Sequence, residues 1–361
     1  MDPKLKKLLN ASYEIGKEKE LNGILLKLTD VTRSILDADR CSIFLHDKEH
    51  KELWTIVAHG VKEIRIPESA GIAGHVATTG ESLNIKDAYK DSRFDKDVDK
   101  KTGYTTSTML TFPLRNIDEE SIGVFQVINK KNGKPFDNED IDLLQHLSLY
   151  VASNIENTML HEKVKKAGED AIYRLSYATK FKDPETQSHI IRVGLYGEKM
   201  ADALKWSAEE QEIVKLATPM HDIGKVGIPD RVLQKPGKLD DEEWGIMKKH
   251  SLYGYEILKG GGTTLMQKAA ITALDHHEKW NGTGYPNGKK EKEISSYGRF
   301  AAISDVFDAL TSSRCYKKAW PYEKAFELLR EERGQHFDPK FVDVFLENAD
   351  AMKKIREDYK D

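Results

Sequence analysis

His221-Asp222-Ile223-Gly224-Lys225-Val226-Gly227-Ile228-Pro229-Asp230 sets a nitrogen ligand, an oxygen ligand and a cation within five residues. A neutral imidazole and a carboxylate are donors that iron, zinc and manganese accept, and a carboxylate can bridge two ions. Three residues after the aspartate, Lys225 is placed to hold an anion. An isolated pair of this kind is common on surfaces, and a histidine beside an apolar run usually packs. The reading therefore depends on the surrounding chain.

After Gly168, apolar positions recur at helical spacing over 171–181, 188–204, 208–220, 240–248, 264–277, 298–310, 321–332 and 339–356, which predicts an all-α domain spanning 171–361. Metal-competent residues fall along it in a definite order. Glu185 and His189, behind Pro184, are four apart and share one helix face. His221 and Asp222 close a later helix, where neighbours about 100° apart reach different coordination positions. His250 is expected to end a helix, His276 and His277 to end another, and Asp305 to sit inside one whose next turn carries Asp308. Eight candidate donors thus come from five segments.

Upstream the pattern differs. Residues 1–20 and 21–36 read as amphipathic helices, 41–45 and 53–57 as a strand hairpin, 71–77 as a short helix, and 108–114 and 123–129 as further strands. Residues 21–155 are therefore expected to form an α+β domain with an antiparallel sheet. A long helix over 137–170 joins the two domains; its length suits packing against the same helix of a second chain, with a rigid spacer as the alternative.

With 56 Lys+Arg against 60 Asp+Glu the net charge is -4, so no global field favours DNA, RNA or an anionic membrane. The chain has no apolar run of membrane-spanning length, and Met1-Asp2-Pro3-Lys4-Leu5-Lys6-Lys7 lacks a signal-peptide core, giving the expectation of a cytoplasmic protein. Cys41 and Cys315 are in no paired spacing, against a disulfide framework or a cysteine-ligated zinc.

The run Gly71-Ile72-Ala73-Gly74-His75-Val76-Ala77-Thr78-Thr79-Gly80-Glu81, with Pro113-Leu114 and Gly123-Val124-Phe125-Gln126-Val127-Ile128-Asn129-Lys130, resembles a GAF domain, a sensory or dimerising module. Cyclic-nucleotide-binding members share an Asn-Lys, Phe, Asp-Glu pattern. Asn129, Lys130, Phe136 and Asp140 match it, but Ile141 stands where the Glu belongs. A ligand pocket and a purely dimerising role both stay open.

The order His, His-Asp, His, His-His, Asp resembles the HD superfamily of metal-dependent phosphohydrolases. His276-His277-Glu278-Lys279-Trp280-Asn281-Gly282-Thr283-Gly284-Tyr285-Pro286 resembles the extended motif of the HD-GYP family, as does Asp305-Val306-Phe307-Asp308-Ala309-Leu310-Thr311 followed by Arg314 and Lys317. The resemblance covers about 173–345. It implies hydrolysis of cyclic di-GMP to pGpG, with onward hydrolysis to GMP open. Glu185, His189, His221, Asp222, His250, His276, His277 and Asp305 are the expected ligands, with Asp222 as bridge and Asp222 and Lys225 as catalytic residues. Bound ions would make hydroxide available near neutral pH for in-line attack.

Lys225, Arg314 and Lys317 are expected to neutralise the phosphodiesters, with Asp183 and Asp308 in substrate or imidazole-orienting contacts and Tyr285 stacking on guanine or filling its loop. The cofactor expectation is two or three divalent ions, the third held by Glu185 and His189, with iron preferred and manganese suiting the same donors. The loop 282–286 is an expected docking place for a partner domain. Two other readings compete: a di-iron oxygenase on the HD scaffold, and a non-catalytic cyclic-dinucleotide receptor.

Overall fold

The computed structural model describes residue 15 and residues 20–55, 64–178, 186–313 and 318–360. The expected helix over 1–20 falls almost wholly outside these residues, as do Ile56 and Val57 of the expected second strand. The chain divides into two compact units, Met1–Lys165 and Lys166–Asp361.

The first unit runs α1 (Leu21–Ile35), β1 (Ala38–Asp47), β2 (Glu52–Thr55), β3 (Ile64–Pro67), α2 (Gly71–Thr79), β4 (Leu83–Ile85), α3 (Lys96–Thr102), β5 (Met109–Arg115), β6 (Ser121–Lys130) and then α4 (Asn138–Ala178). The sheet order is β3-β2-β1-β6-β5-β4, with every neighbouring pair antiparallel. Alternation along β1 sends Ile43 and Leu45 to one face, where they meet Phe125 and Val127 of β6, Ile24, Leu25 and Leu28 of α1, and Leu144, Leu147 and Val151 of α4. On another core, Ala73, Val76 and Ala77 of α2 lie with Leu53 and Val124. The short elements β3, β4 and α3 are absent from the sequence reading because none is long enough to display a period.

All four matching residues of the Asn-Lys, Phe, Asp pattern are engaged inside this unit. Asn129, at φ 53, accepts from the Ser107 and Thr108 amides and donates to Tyr104 Oη and the Thr105 carbonyl. Lys130 pairs with Asp140 and Asp137 at the start of α4, Phe136 is buried, and Ile141 packs against the core.

The second unit is helical: α5 (Gln187–Ala203), α6 (Ala208–Ala217), α7 (Asp230–Leu233), α8 (Asp241–Met247), α9 (His250–Leu258), α10 (Thr264–Asp275), α11 (Ser296–Thr311), α12 (Tyr322–Glu331), α13 (Pro339–Glu347) and α14 (Ala349–Asp358). Its core joins Tyr196 and Met200 of α5, Val214 of α6, Ala269 and Ala273 of α10, Phe300, Ile303 and Phe307 of α11, and Phe345 of α13.

Four expectations need correction. Gly168 does not end the long helix, and α4 absorbs the expected helix from 171 into one 41-residue element. A lone glycine costs only about 1 kcal/mol relative to alanine, and the charged and alanine residues around it are good helix formers. The helix expected over 208–220 gives way at Ala217 to a 3₁₀ turn, Thr218–Met220, because Pro219 cannot continue the α-helical ladder. The helix expected over 339–356 divides at Asn348, whose side-chain amide donates to the Val344 carbonyl and competes with the backbone ladder. His250 begins α9 rather than ending the preceding helix. No helix among the described residues is long and apolar enough to cross a membrane.

Candidate metal centre

His189 lies one turn into α5, whose Thr186 cap accepts from the His189 amide at 3.1 Å. His221 and Asp222 lie between two 3₁₀ turns, Thr218–Met220 and Ile223–Gly227, and the non-helical backbone of Asp222 turns its carboxylate across the site. His250 opens α9, His276 caps α10, His277 follows it, and Asp305 projects from α11.

These side chains converge as two sets. His189, His221 and Asp305 form one; Asp222, His250, His276 and His277 form the other. Within each, the ligand atoms all lie within 4.8 Å of one another. Asp222 faces both: Oδ2 is 3.1 Å from His221 Nε2, while Oδ1 is 3.3 Å from His250 Nε2 and 3.6 Å from His276 Nε2. Asp305 Oδ1 lies 3.7 Å from His189 Nε2 and 4.0 Å from His221 Nε2.

The hydrogen bonds behind the rings fix what they present. His221 Nδ1 is 2.9 Å from the Thr218 carbonyl, His250 Nδ1 2.8 Å from that of Met247, and His276 Nδ1 2.9 Å from that of Ala273. A carbonyl only accepts, so each Nδ1 carries a proton, and a neutral ring in this tautomer presents its Nε2 lone pair inward. His189 does the same against a carboxylate, Asp308 Oδ2, at 2.8 Å.

The consequence is sharpest between His250 and His276, whose Nε2 atoms are 3.2 Å apart. Two lone pairs at that distance repel unless a cation lies between them. Burial, with the neighbouring His276 adding to it against the pull of Asp222, lowers His250 to about 4, so a proton is a poor candidate for that cation at neutral pH. Burial likewise holds His277 well below its ordinary range. Burial opposes ionisation of Asp222, but the Lys225 ammonium in contact with it, the largest opposing influence, keeps the carboxyl well below the usual range. Its buried Oδ1 has no hydrogen-bond donor among the described residues. Neutral His250 and His277 facing the ionised Asp222 carboxylate are in the states that bind divalent metals, so the residues fit such ions.

Among the other expected residues, Lys225 Nζ sits 2.7 Å from Asp222 Oδ2. Asp308, expected in substrate or imidazole-orienting contacts, is fully buried behind His189, where substrate has no access to it. Tyr285 lays its ring on His277, with centroids 4.7 Å apart, and meets the half-exposed Trp244 edge-on. Asp183, Glu185, Arg314 and Lys317 lie outside the described residues.

Sequence reasoning missed Arg192 and Glu278, both buried. Arg192 grips Asp308 with two nitrogens; its three-residue spacing from His189 was the available signal. Glu278 accepts from the Asn287 and Lys289 amides and so ties the loop 282–286 back beside His277. Burial raises its carboxyl.

Residues 20–155 match the GAF domain family and residues 176–341 match the HD domain family. The chain thus carries a GAF domain followed by an HD domain. It is 42% identical over 217 residues to the 3'3'-cGAMP-specific phosphodiesterase 2 of Vibrio cholerae, covering 60% of this chain and 42% of that protein. It is 39% identical over 193 residues to the cyclic di-GMP phosphodiesterase response regulator RpfG of Xanthomonas campestris, covering 54% and 51%. Against the cyclic di-GMP phosphodiesterase of Thermotoga maritima it is 42% identical over 172 residues, covering 48% and 47%. The chain therefore spans about half the length of the relatives it matches.

Proposed function

We propose that this chain is a metal-dependent phosphodiesterase that hydrolyses cyclic di-GMP to pGpG in the cytoplasm. The observation that carries the reading is Asp222, whose two oxygens face two sets of inward imidazole Nε2 atoms. The names of the relatives supply the substrate class. His189, His221, Asp305 and Asp222 would hold one ion, and Asp222, His250, His276 and His277 the other. Glu185 would add a third, with iron preferred over manganese. Such ions supply Lewis acidity that makes hydroxide available near neutral pH and offsets phosphodiester charge. The side chains orient these groups, Lys225 offers the nearest ammonium, and Arg314 and Lys317 are proposed to grip the phosphates. Tyr285, fixed on His277, would bound the base-binding side.

The name of the Vibrio cholerae relative favours 3'3'-cGAMP as a second candidate substrate. The GAF domain is proposed to regulate turnover and to dimerise together with α4, where exposed Leu149, Leu160, Val164 and Leu175 recur eleven, four and eleven residues apart on one face. The loop 282–286 is the proposed docking place for a partner domain.

Purified full-chain protein, kept anaerobic and supplied with Fe(II) or Mn(II), should convert cyclic di-GMP to pGpG. His221→Ala and Asp222→Asn should abolish turnover while leaving the helical circular-dichroism signal. Binding without turnover under every metal condition would favour the receptor reading, and strict oxygen dependence the oxygenase. Two ions per chain, unchanged by Glu185→Ala, would remove the third-ion assignment.

A further inference from the structure

We infer that Arg192 is a positioning residue of the metal centre, and that through it the backbone just past α14 holds His189 in its ligating orientation. The inference rests on the metal-centre reading above.

Arg192 lies one turn beyond His189 on α5, and its side chain is 0% exposed. Its Nε and Nη2 donate to Asp308 Oδ1 and Oδ2 at 2.6 and 2.7 Å, a bidentate grip that fixes the plane of the carboxylate. Nη2 also donates to Ser312 Oγ at 3.0 Å, and Tyr196 Oη reaches Asp308 Oδ1 at 3.3 Å. Thus locked, Asp308 Oδ2 accepts a hydrogen bond from His189 Nδ1 at 2.8 Å and sets the ring's rotation, which aims Nε2 toward Asp305. A carboxylate behind a ligating imidazole commonly serves this purpose. Here the carboxylate is itself held by a buried cation.

A further contact comes from the far end of the unit. Arg192 Nη1 donates to the Tyr359 carbonyl at 2.7 Å, and Ser188 Oγ to the Lys360 carbonyl at 2.8 Å. Two consecutive carbonyls beyond α14 therefore grip residues 188 and 192, on either side of His189. A buried guanidinium N–H deprived of its acceptor carries a desolvation cost, which it relieves by shifting toward another oxygen. Any such shift turns Asp308, and with it His189. The other ligand set receives its orientation from the Met247 and Ala273 carbonyls behind His250 and His276 and from Lys225 on Asp222, while the Thr218 carbonyl holds His221, which belongs to the same set as His189.

The test is Co(II) titration of metal-stripped protein, following the visible ligand-field absorbance that separates the two ions. In a chain stopped after Asp358, the ion of the His189–His221–Asp305 set should bind at least about 10-fold more weakly, and the ion of the His250–His276–His277 set within about 2-fold of wild type. Arg192→Met should do the same, with Arg192→Lys intermediate. Tyr359→Ala, which keeps the backbone carbonyl, should match wild type. Unchanged binding in the shortened chain, or equal weakening of both ions, overturns the inference. Should Arg192→Met not fold, the shortened chain alone decides. Failure of the wild-type protein to bind Co(II) would instead overturn the metal-centre reading itself.

Discussion

Gly224→Ala is the perturbation most directly scaled by the structure. Gly224 lies in the 3₁₀ turn Ile223–Gly227, immediately after Asp222, and a Cβ there would press on the backbone of α9: on the His250 carbonyl, whose carbon would be 2.9 Å away, and on the Gly254 amide. Carbon atoms pack at about 3.5–4.0 Å, so the turn must retreat by at least about 0.6 Å. Neither neighbour is a flexible side-chain end that could swing aside. Asp222 and His250 lie on the two surfaces being separated, and their Oδ1 to Nε2 distance of 3.3 Å would grow to about 3.9 Å or more. One ion bound at about 2.1 Å to each, with ordinary angles of 90–109°, spans only about 3.0–3.4 Å.

The substitution should therefore weaken the ion of the His250–His276–His277 set by about 10-fold or more and cost about 1–3 kcal/mol of stability from overpacking. Co(II) titration and urea unfolding measure the two effects. Gly245→Ala, within α8 and with no atom within 4 Å of the added carbon, is the control. It should leave metal binding unchanged and stabilise by up to about 1 kcal/mol. If Gly224→Ala binds metal and resists urea as wild type does, the close approach is not what sets the Asp222 to His250 distance.

Two further outcomes concern buried titratable groups. Burial, assisted by Lys279, lowers His336 to about 4 from 6.5, so between those values the unfolded chain binds the proton and the native one does not; its contribution is intact above 6.5 and is lost as pH falls toward 4. At about 1.36 kcal/mol per pH unit the loss is up to about 3 kcal/mol, and metal-free His336→Gln should show a correspondingly flatter fall in urea midpoint between pH 7.5 and 5; an unchanged slope contradicts this. Lys130→Met strands the buried Asp140 carboxylate and should cost the GAF domain about 3–5 kcal/mol, with Lys130→Met/Asp140→Leu recovering much of it in thermal unfolding; no recovery in the double variant would mean that the pair is not the source of the cost.

What was legible in the sequence was periodic or chemically marked. The alternation of β1, the helical spacing of α5 and α11, and the order of histidines and aspartates all carry their own signal. Boundaries set by one competing bond, such as Asn348 onto Val344, do not. Nor do buried charges. Arg192 and Glu278 read as solvated polar residues until the fold brings Asp308 to one and the Asn287 and Lys289 amides to the other, contacts that span 116, 9 and 11 residues. The Asn-Lys, Phe, Asp pattern was legible only in part. Its residues were recognised, yet the contacts of Asn129 and Lys130 within the domain depend on a positive φ and on the start of α4, neither of which motif matching registers.

Lys225 changes meaning most between sequence and structure. Three residues after Asp222 it reads as a free ammonium awaiting a phosphate, whereas folded it lies on Asp222 Oδ2, the oxygen that also faces His221. The two positions do not conflict once lone pairs are counted. An ionised carboxylate offers about four acceptor sites, two on each oxygen. Oδ2 can accept from Lys225 and would still be able to bind an ion beside His221, while Oδ1, which has no hydrogen-bond donor among the described residues, would keep its sites for an ion beside His250 and His276. The ammonium need not leave when metals enter. Its first effect is to hold the Asp222 carboxylate ionised and correctly turned, and any phosphate it meets must approach a lysine already committed on one side.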